Sequence, residues 1–331
     1  MTTSHLEEEI EGTGARVSAF LDDLVVEKEP IRLTQAARHL LKAGGKRLRP
    51  FITIKSCEAE GGTEVEAMPL ACAIELLHNF TLIHDDIMDK DAMRRNVKTV
   101  HTIYGEPIAI LAGDYLFAKA FEVSSNSPRL KPESVLMANR RLADAMVVLA
   151  EGQTMDTQFE HEDEVTEFEY VQMVRMKTSS LYSASAYVGG CAADASKHEL
   201  QLLESFGDAF GIAFQIRDDI LGLTGQVDRL GKPVGSDLQK GKKTLIILKA
   251  LEQLTPAKRK QILTLMRSQE ARPDEIQEAT ELLLETGAKN YAETRMKEYA
   301  EKALSALSKL PANGARELLE ACTRFAIERS F

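Results

Sequence analysis

Tryptophan is absent from this 331-residue chain, aromatics make up only 6%, and glycine and proline number just 20 and 10. So few turn formers exclude a turn-rich β-sandwich or barrel and, with many Ala, Leu, Glu and Lys, favour long helices. Basic charge is also in short supply. Lys and Arg total 41 against 51 Asp and Glu, a net charge of −10, which opposes general nucleic-acid binding and leaves room only for a locally basic pocket. The four cysteines, Cys57, Cys72, Cys191 and Cys322, form no CxxC pair and no His/Cys cluster. Neither a zinc site nor a disulfide framework is expected, and a reducing cytoplasm is the simplest setting. Met1 to Gly12 is rich in Glu and has no apolar stretch of secretory length. The most apolar runs, such as Leu245–Leu248, end within a few residues at Lys249, far short of a membrane span. A soluble cytoplasmic protein is expected.

What is present is helical periodicity. Leu76, Leu77, Phe80, Ile83 and Ile87 recur every three or four positions, as on one helix face. Thr166–Val188 and Leu200–Leu223 read the same way, and Ala292–Leu310 reads as a solvated amphipathic helix. Breakers are expected at Gly61-Gly62, Gly105-Glu106-Pro107, Ser127-Pro128, Gly189-Gly190, Gly231–Gly241, Pro273 and Pro311. No linker or solenoid repeat divides the chain, so residues 1–331 are expected to form one all-α domain.

The chemistry concentrates in two acidic clusters. The first is His84-Asp85-Asp86-Ile87-Met88-Asp89, followed by Asp91 and Arg94-Arg95. Asp is a poor helix-interior residue because its carboxylate competes for backbone hydrogen bonds, so three of them in an apolar helix need a reason. Asp85 and Asp89 are one turn apart and stack on one face, which His78 shares. Stacked carboxylates repel unless a cation sits between them, and oxygen-only ligands of this kind suit Mg²⁺ bridging to a phosphate. The second cluster is Phe214-Gln215-Ile216-Arg217-Asp218-Asp219, with Gly222 one turn further on. Two such helices facing each other would present carboxylates on both walls of a cavity. Three basic segments complete the set. Gly44-Gly45-Lys46-Arg47-Leu48-Arg49-Pro50 sets cations beside a flexible turn, and Arg94-Arg95 offers planar forks for phosphate oxygens. Lys177-Thr178 and the stretch Gly231-Lys232-Pro233 to Gly241-Lys242-Lys243-Thr244 follow. Neither glycine-lysine segment has P-loop spacing, so nucleotide-triphosphate hydrolysis is not suggested.

Together, GGKRLRP at 44–50, HDDIMD at 84–89, RR at 94–95, KT at 177–178, FQIRDD at 214–219 and GKPVGSD…GKKT at 231–244 resemble the trans-isoprenyl diphosphate synthases, or polyprenyl synthetase family. The resemblance spans roughly residues 35–250, and within the family it is most like the archaeal-type short-chain geranylgeranyl/farnesyl diphosphate synthases. It implies an all-α, isoprenoid-synthase-type bundle around a central cavity, usually a homodimer. It also implies an Mg²⁺-dependent condensation of isopentenyl diphosphate with an allylic diphosphate (dimethylallyl, geranyl or farnesyl), with up to roughly three Mg²⁺ ions per site and Mn²⁺ able to substitute.

Carried over by position, the resemblance makes Asp85, Asp89 and Asp218 the metal ligands, with Asp86 adjacent. Lys46, Arg49, His78 and Arg95 would hold isopentenyl diphosphate. Arg94, Lys177, Lys232 and Lys242 would hold the allylic diphosphate, and Thr178 and Gln215 would lie near the carbocation. One departure stands out: Gly222 replaces the last aspartate of the second motif, leaving Asp218 and Asp219.

Chain length in this family is limited by residues before the first aspartate, here Leu77, Phe80 and Thr81. Thr81 is small and Phe80 bulky, a pattern that implies a C20 product with C15 released in part. A longer-chain synthase is an alternative. A class I terpene cyclase would share ionisation at the first motif but has no use for the basic set around Lys46 and Arg49. A non-catalytic partner subunit would be expected to have eroded aspartates, and these are intact.

Overall fold

The computed structural model describes residues 3–224, 236–268 and 271–328. Its elements run α1 (Thr3–Leu24), α2 (Ile31–Lys42), α3 (Leu48–Ala59), α4 (Glu64–Met88), β1 (Met93–Arg94), β2 (Val97–Lys98), α5 (Val100–Tyr104), α6 (Glu106–Ser125), α7 (Pro132–Phe159) and α8 (Glu167–Val174). A π-helical turn (Arg175–Ser179) leads into α9 (Ser180–Ala192) and α10 (Lys197–Thr224). The remainder is α11 (Ser236–Gln239), α12 (Leu245–Gln253), α13 (Pro256–Met266), α14 (Pro273–Glu285), α15 (Ala288–Leu307) and α16 (Gly314–Glu328). The fold is all-α. Among the described residues the only sheet is the antiparallel pair β1–β2.

Two compact units can be distinguished. The first comprises Met1–Asp144, Leu181–Ser205 and Ala306–Cys322. In it α4 packs against α3 and α6, and α1 against α3. The reason for α1 lies in its spacing: Leu6, Ile10, Thr13, Val17 and Leu21 recur at three or four residues and are all buried, while the intervening Glu residues meet water. At the start of α4, Glu66 accepts from the Thr63 amide at 2.8 Å, half of a capping box that fixes where the helix begins. From there its apolar stripe runs to the acidic motif at its C-terminus.

The second unit comprises Ala145–Ser180, Phe206–Ser305 and Thr323–Phe331. Its core gathers Tyr170, Val174, Ile212, Ile216, Ile220, Ile246, Ile247, Leu283 and Ala292 from α8, α10, α12, α14 and α15. Thr166 and Glu169 form a capping box that starts α8. The described helices contain no stretch long and apolar enough to cross a membrane.

Three sequence expectations change. The helix expected over Thr166–Val188 is interrupted by the π turn. Gly189-Gly190 is not a breaker but lies inside α9, where a Cβ on Gly189 would come within 2.8 Å of Ser56 Cβ and one on Gly190 within 2.6 Å of Leu203 Cδ1. These glycines permit close helix contact rather than a turn. Finally, Asp89 is not inside α4 but caps its C-terminus, with its amide still bonded to the Asp85 carbonyl at 2.8 Å. The one-turn spacing from Asp85 therefore survives.

Candidate active site

In the first unit, Asp85 and Asp89 are both partly exposed at the end of α4. Asp86 is different: it is 1% exposed, and Arg94 Nε donates to its Oδ1 at 2.5 Å, with Asp91 also 3.7 Å from the Arg94 guanidinium. Burial raises the Asp86 carboxyl above its ordinary range, and Arg94 opposes that shift. Asp86 therefore anchors Arg94 instead of presenting itself to a ligand.

The β1–β2 ribbon turns through Arg95 and Asn96, both in the left-handed region at φ 51° and 62°. That is the backbone of a tight hairpin turn, and it costs a non-glycine residue. Arg95 is held there by donating to the Gly44 carbonyl and, at 3.3 Å, to the Leu40 carbonyl. Its guanidinium lies against Gly45, where a Cβ would sit 2.9 Å from Arg95 Cζ. This contact joins Arg95 to the loop that carries the exposed Lys46. Arg49, on α3, donates to His78 Nε2 at 3.3 Å and stacks over the Tyr182 ring at 4.1 Å. Burial and then the charges of Arg49, Arg95, Arg94 and Arg47 hold His78 well below its usual pKa, so the ring is neutral and can accept. Thus four of the carried-over residues, Arg49, His78, Arg94 and Arg95, share one cationic field.

Arg47 does not belong to the anion-binding group that its segment suggested. It is buried, its Nη1 meets Glu75 at 2.5 Å, and its Nη2 donates to the Leu41 carbonyl at 2.7 Å. The left-handed backbone at Arg47 (φ 49°) turns its side chain into the core.

In the second unit, Lys177 and Thr178 sit in the π turn. Thr178 Oγ1 donates to Gln215 Oε1 at 2.9 Å, Gln215 Nε2 donates to Asp219 at 2.8 Å, and Tyr170 donates to the other Asp219 oxygen at 2.6 Å. Asp219 is buried, so of this acidic pair Asp218 is the more exposed member. The two motifs share a pattern in which the first aspartate is more exposed and the second is buried and bonded. Gly222 lies on α10 one turn beyond Asp218.

Lys177 Nζ and Lys242 Nζ both meet Asp156 Oδ2, at 2.6 and 2.8 Å, and Lys242 also meets Glu160 at 2.7 Å. Burial pushes Asp156 upward, but the two ammonium groups outweigh it and hold its carboxyl below the usual carboxylate range. Neither Asp156 nor Tyr170 was singled out from sequence. Asp156 lies in the mostly polar run Gln153-Thr154-Met155-Asp156-Thr157-Gln158, so apolar periodicity carries no signal for it. Lys232 lies outside the described residues. In the chain-length group, Leu77 is fully buried and Thr81 buried, its hydroxyl donating to the His78 carbonyl at 2.8 Å. Phe80 stacks edge-on against His84 at 4.7 Å and Phe117 of α6 at 5.2 Å, and Phe117 in turn meets Phe121 at 5.2 Å.

Residues 30–283 match the family described as polyprenyl synthetase. The chain belongs to that family. It is 44% identical over 313 residues to the geranylgeranyl pyrophosphate synthase of Geoglobus acetivorans, covering 95% of this chain and 96% of that one. It is 43% identical over 306 residues to the geranylfarnesyl diphosphate synthase of Aeropyrum pernix, covering 91% and 95%. Among solved structures, the geranylgeranyl pyrophosphate synthetase of Pyrococcus horikoshii Ot3 matches with a TM-score of 0.93 at 41% identity, covering 98% and 99%. Among the described residues, the arginines around His78 and the lysine pair on Asp156 each gather positive charge.

Proposed function

We propose that this polyprenyl synthetase is a trans-prenyltransferase that condenses isopentenyl diphosphate with dimethylallyl, geranyl and farnesyl diphosphates, making mainly geranylgeranyl diphosphate (C20) and releasing some C15. The observation that carries the reading is the intact pair Asp85 and Asp89 one turn apart, beside a buried Asp86–Arg94 ion pair and the Arg49–His78–Arg95 group. In this reading residues 1–331 form one catalytic domain.

The donor set fits Mg²⁺. Asp85 and Asp89 offer hard carboxylate oxygens, and among the described residues no cluster of three or more His, Cys, Asp or Glu would enclose a metal by itself. A site of that kind suits an ion that uses one or two carboxylates, keeps waters and completes its shell with substrate phosphates. Asp85, Asp89 and Asp218 would hold Mg²⁺, and its chemistry when bound is Lewis-acid stabilisation of the leaving diphosphate.

The chain's own residues do the rest. Arg94, Lys177, Lys242 and Lys232 fix the allylic diphosphate and stabilise the charge it gains as the C–O bond breaks. Lys46, Arg49, His78 and Arg95 hold isopentenyl diphosphate so that its double bond is positioned for attack. A neutral His78 adds an acceptor and donor face without adding charge. Thr178 and Gln215, already bonded to each other, supply oriented dipoles near the allylic cation. The departing diphosphate takes the proton lost on forming the new double bond, so no separate base is required.

Assembly is proposed as a homodimer. Ile103, Ile110, Leu111 and Leu136, on α5, α6 and α7, are large apolar side chains left exposed. A monomer mass by light scattering at assay concentration would remove this part.

The decisive experiment incubates purified protein and Mg²⁺ with isopentenyl diphosphate and each allylic starter, then measures product length by chromatography. C20 product is expected. Absence of any condensation product would overturn the proposal, and a dominant C25 or longer product would move the chain to the longer-chain alternative.

A further inference from the structure

Asp156 stands outside every motif used above, yet it ties two of their residues together. One oxygen, Oδ2, accepts from Lys177 Nζ at 2.6 Å and from Lys242 Nζ at 2.8 Å. Two atoms in contact with the same oxygen can be no farther apart than both contacts laid end to end, so the ammonium groups lie within about 5.4 Å of each other. Two like charges this close would otherwise repel. The lysines come from distant parts of the chain: Lys177 from the π turn and Lys242 from the segment between α11 and α12. Asp156 itself is on α7 and is 6% exposed. Glu160, just past the end of α7, lies 2.7 Å from the Lys242 ammonium. Each ammonium has three N–H donors, and among the described residues Asp156 is the acceptor for Lys177. Lys177 thus keeps donors to offer to an incoming anion.

We propose that Asp156 is a positioning residue for the prenyl transfer, holding the ammonium groups of Lys177 and Lys242 as one convergent pair for the allylic diphosphate. It does so without touching the substrate, because a buried carboxylate already committed to two cations repels phosphate oxygens. The inference rests on the proposed assignment of Lys177 and Lys242 to the allylic substrate. Its physical content is preorganisation: the charges that meet the leaving group are set in place before it develops its charge. Glu160 supplies a second anchor for Lys242 alone, so losing Asp156 should loosen Lys177 more than Lys242.

The test uses the full-length protein with Mg²⁺, isopentenyl diphosphate and geranyl diphosphate. Asp156→Asn keeps the shape and removes the charge. The KM for geranyl diphosphate should rise about tenfold or more, since charge-assisted hydrogen bonds are lost, while the KM for isopentenyl diphosphate stays within about twofold. Asp156→Glu, which keeps the charge on a longer arm, should recover part of the loss and serves as the kinetic test if the Asn variant does not fold. In a Lys177→Ala/Lys242→Ala background, Asp156→Asn should add less than about twofold, because the groups it positions are gone. Equal effects on both substrates, no rescue by Glu, or a full additive loss in the lysine-free background would make Asp156 merely structural and overturn the proposal. If instead Lys177→Ala and Lys242→Ala leave the allylic KM unchanged, the assignment beneath it is what fails. Raised allylic KM in the lysine variants with wild-type kinetics in Asp156→Asn would remove the positioning role alone.

Discussion

Arg94 Nε reaches Asp86 Oδ1 at 2.5 Å, so the middle carboxylate of the first acidic motif is used to hold a guanidinium. Asp86 is 1% exposed, and its other oxygen, Oδ2, is buried without a hydrogen-bond partner. Removing Arg94 therefore leaves a buried charge unpaired. Arg94→Ala is expected to lower unfolding free energy by about 3 kcal/mol, measured by urea denaturation. Arg94→Lys should recover part of it, limited by the loss of the planar fork. A stability loss below about 0.5 kcal/mol would show that the pair contributes little.

Asp85 and Asp218 should behave in the opposite way, costing activity and little stability. Both are partly exposed, so Asp85→Ala and Asp218→Ala should stay within about 1 kcal/mol of the parent in unfolding. Turnover should fall on the order of a hundredfold or more, as when a group that stabilises transition-state charge is removed. EDTA should abolish activity, and Mg²⁺ or Mn²⁺ should restore it. Wild-type rates in excess EDTA would remove the metal from the reaction.

The helical class was legible because apolar residues in segments such as α1 and the stripe of α4 keep the helical period. The cationic cluster was legible because Lys46, Arg49 and Arg94-Arg95 fall in short, recognisable runs. The resemblance already separates Asp85 and Asp218 from their neighbours as metal ligands, but what holds Asp86 and Asp219 could not be read. Asp85 and Asp86 are adjacent and chemically identical, and only tertiary contact with Arg94 makes one of them structural. The same holds for Asp218 and Asp219, separated by the contacts from Tyr170 and Gln215. Arg47 misled for the converse reason: its partner, Glu75, is 28 residues away. The π turn left no sequence signal, and α7 and α10 pack against it through glycines.

That packing is itself testable. Gly152 of α7 and Gly211 of α10 both lie against the π turn. A Cβ on Gly152 would come within 2.7 Å of the Met176 carbonyl carbon and closer still to the Lys177 amide, and one on Gly211 would come within 2.6 Å of Ser179 Cα. Backbone cannot yield as a flexible side chain can, so either alanine must shift the turn that carries Lys177 and Thr178. Gly152→Ala and Gly211→Ala are each expected to destabilise by about 1–3 kcal/mol, as overpacking does, and to raise the allylic KM several-fold. Wild-type kinetics in both variants would show that the turn tolerates displacement.

Glu60, at the C-terminal cap of α3, gives a pH-dependent test of the fold. Burial, followed by the charge of Glu199, pushes its carboxyl up to about 7. A carboxyl raised on folding contributes stability that is fully present below its unfolded value, near 4.5, and is lost as pH rises through about 7. Glu60→Gln should therefore match the parent near pH 4.5 and exceed it at pH 8, by about 1–2 kcal/mol once solvent screening is allowed for. A stability difference that does not change between these pH values would show that Glu60 titrates normally.

Product length tests the apolar group ahead of the first acidic motif on α4. Counting 1.5 Å per residue, Phe80 lies about 7.5 Å and Leu77 about 12 Å along α4 from Asp85, so Phe80 comes before Leu77, and its role as the stop rests on the family resemblance. The ring is braced, edge-on to Phe117 at 5.2 Å and to His84 at 4.7 Å, and His84 Nε2 lies 3.2 Å from the Ile110 carbonyl of α6. A braced ring is a firmer stop than a lone side chain, because moving it disturbs α6 as well. Phe80→Ala should lengthen the main product beyond C20. Phe117→Ala should do so to a smaller degree by loosening the brace. Thr81→Phe should shift product towards C15, at a cost of about 1–3 kcal/mol, because Thr81 is buried and an added ring overpacks its surroundings. If Phe80→Ala leaves the product distribution unchanged while Leu77→Ala extends it, the stop lies one turn deeper than Phe80. If neither changes it, α4 does not set product length in this enzyme.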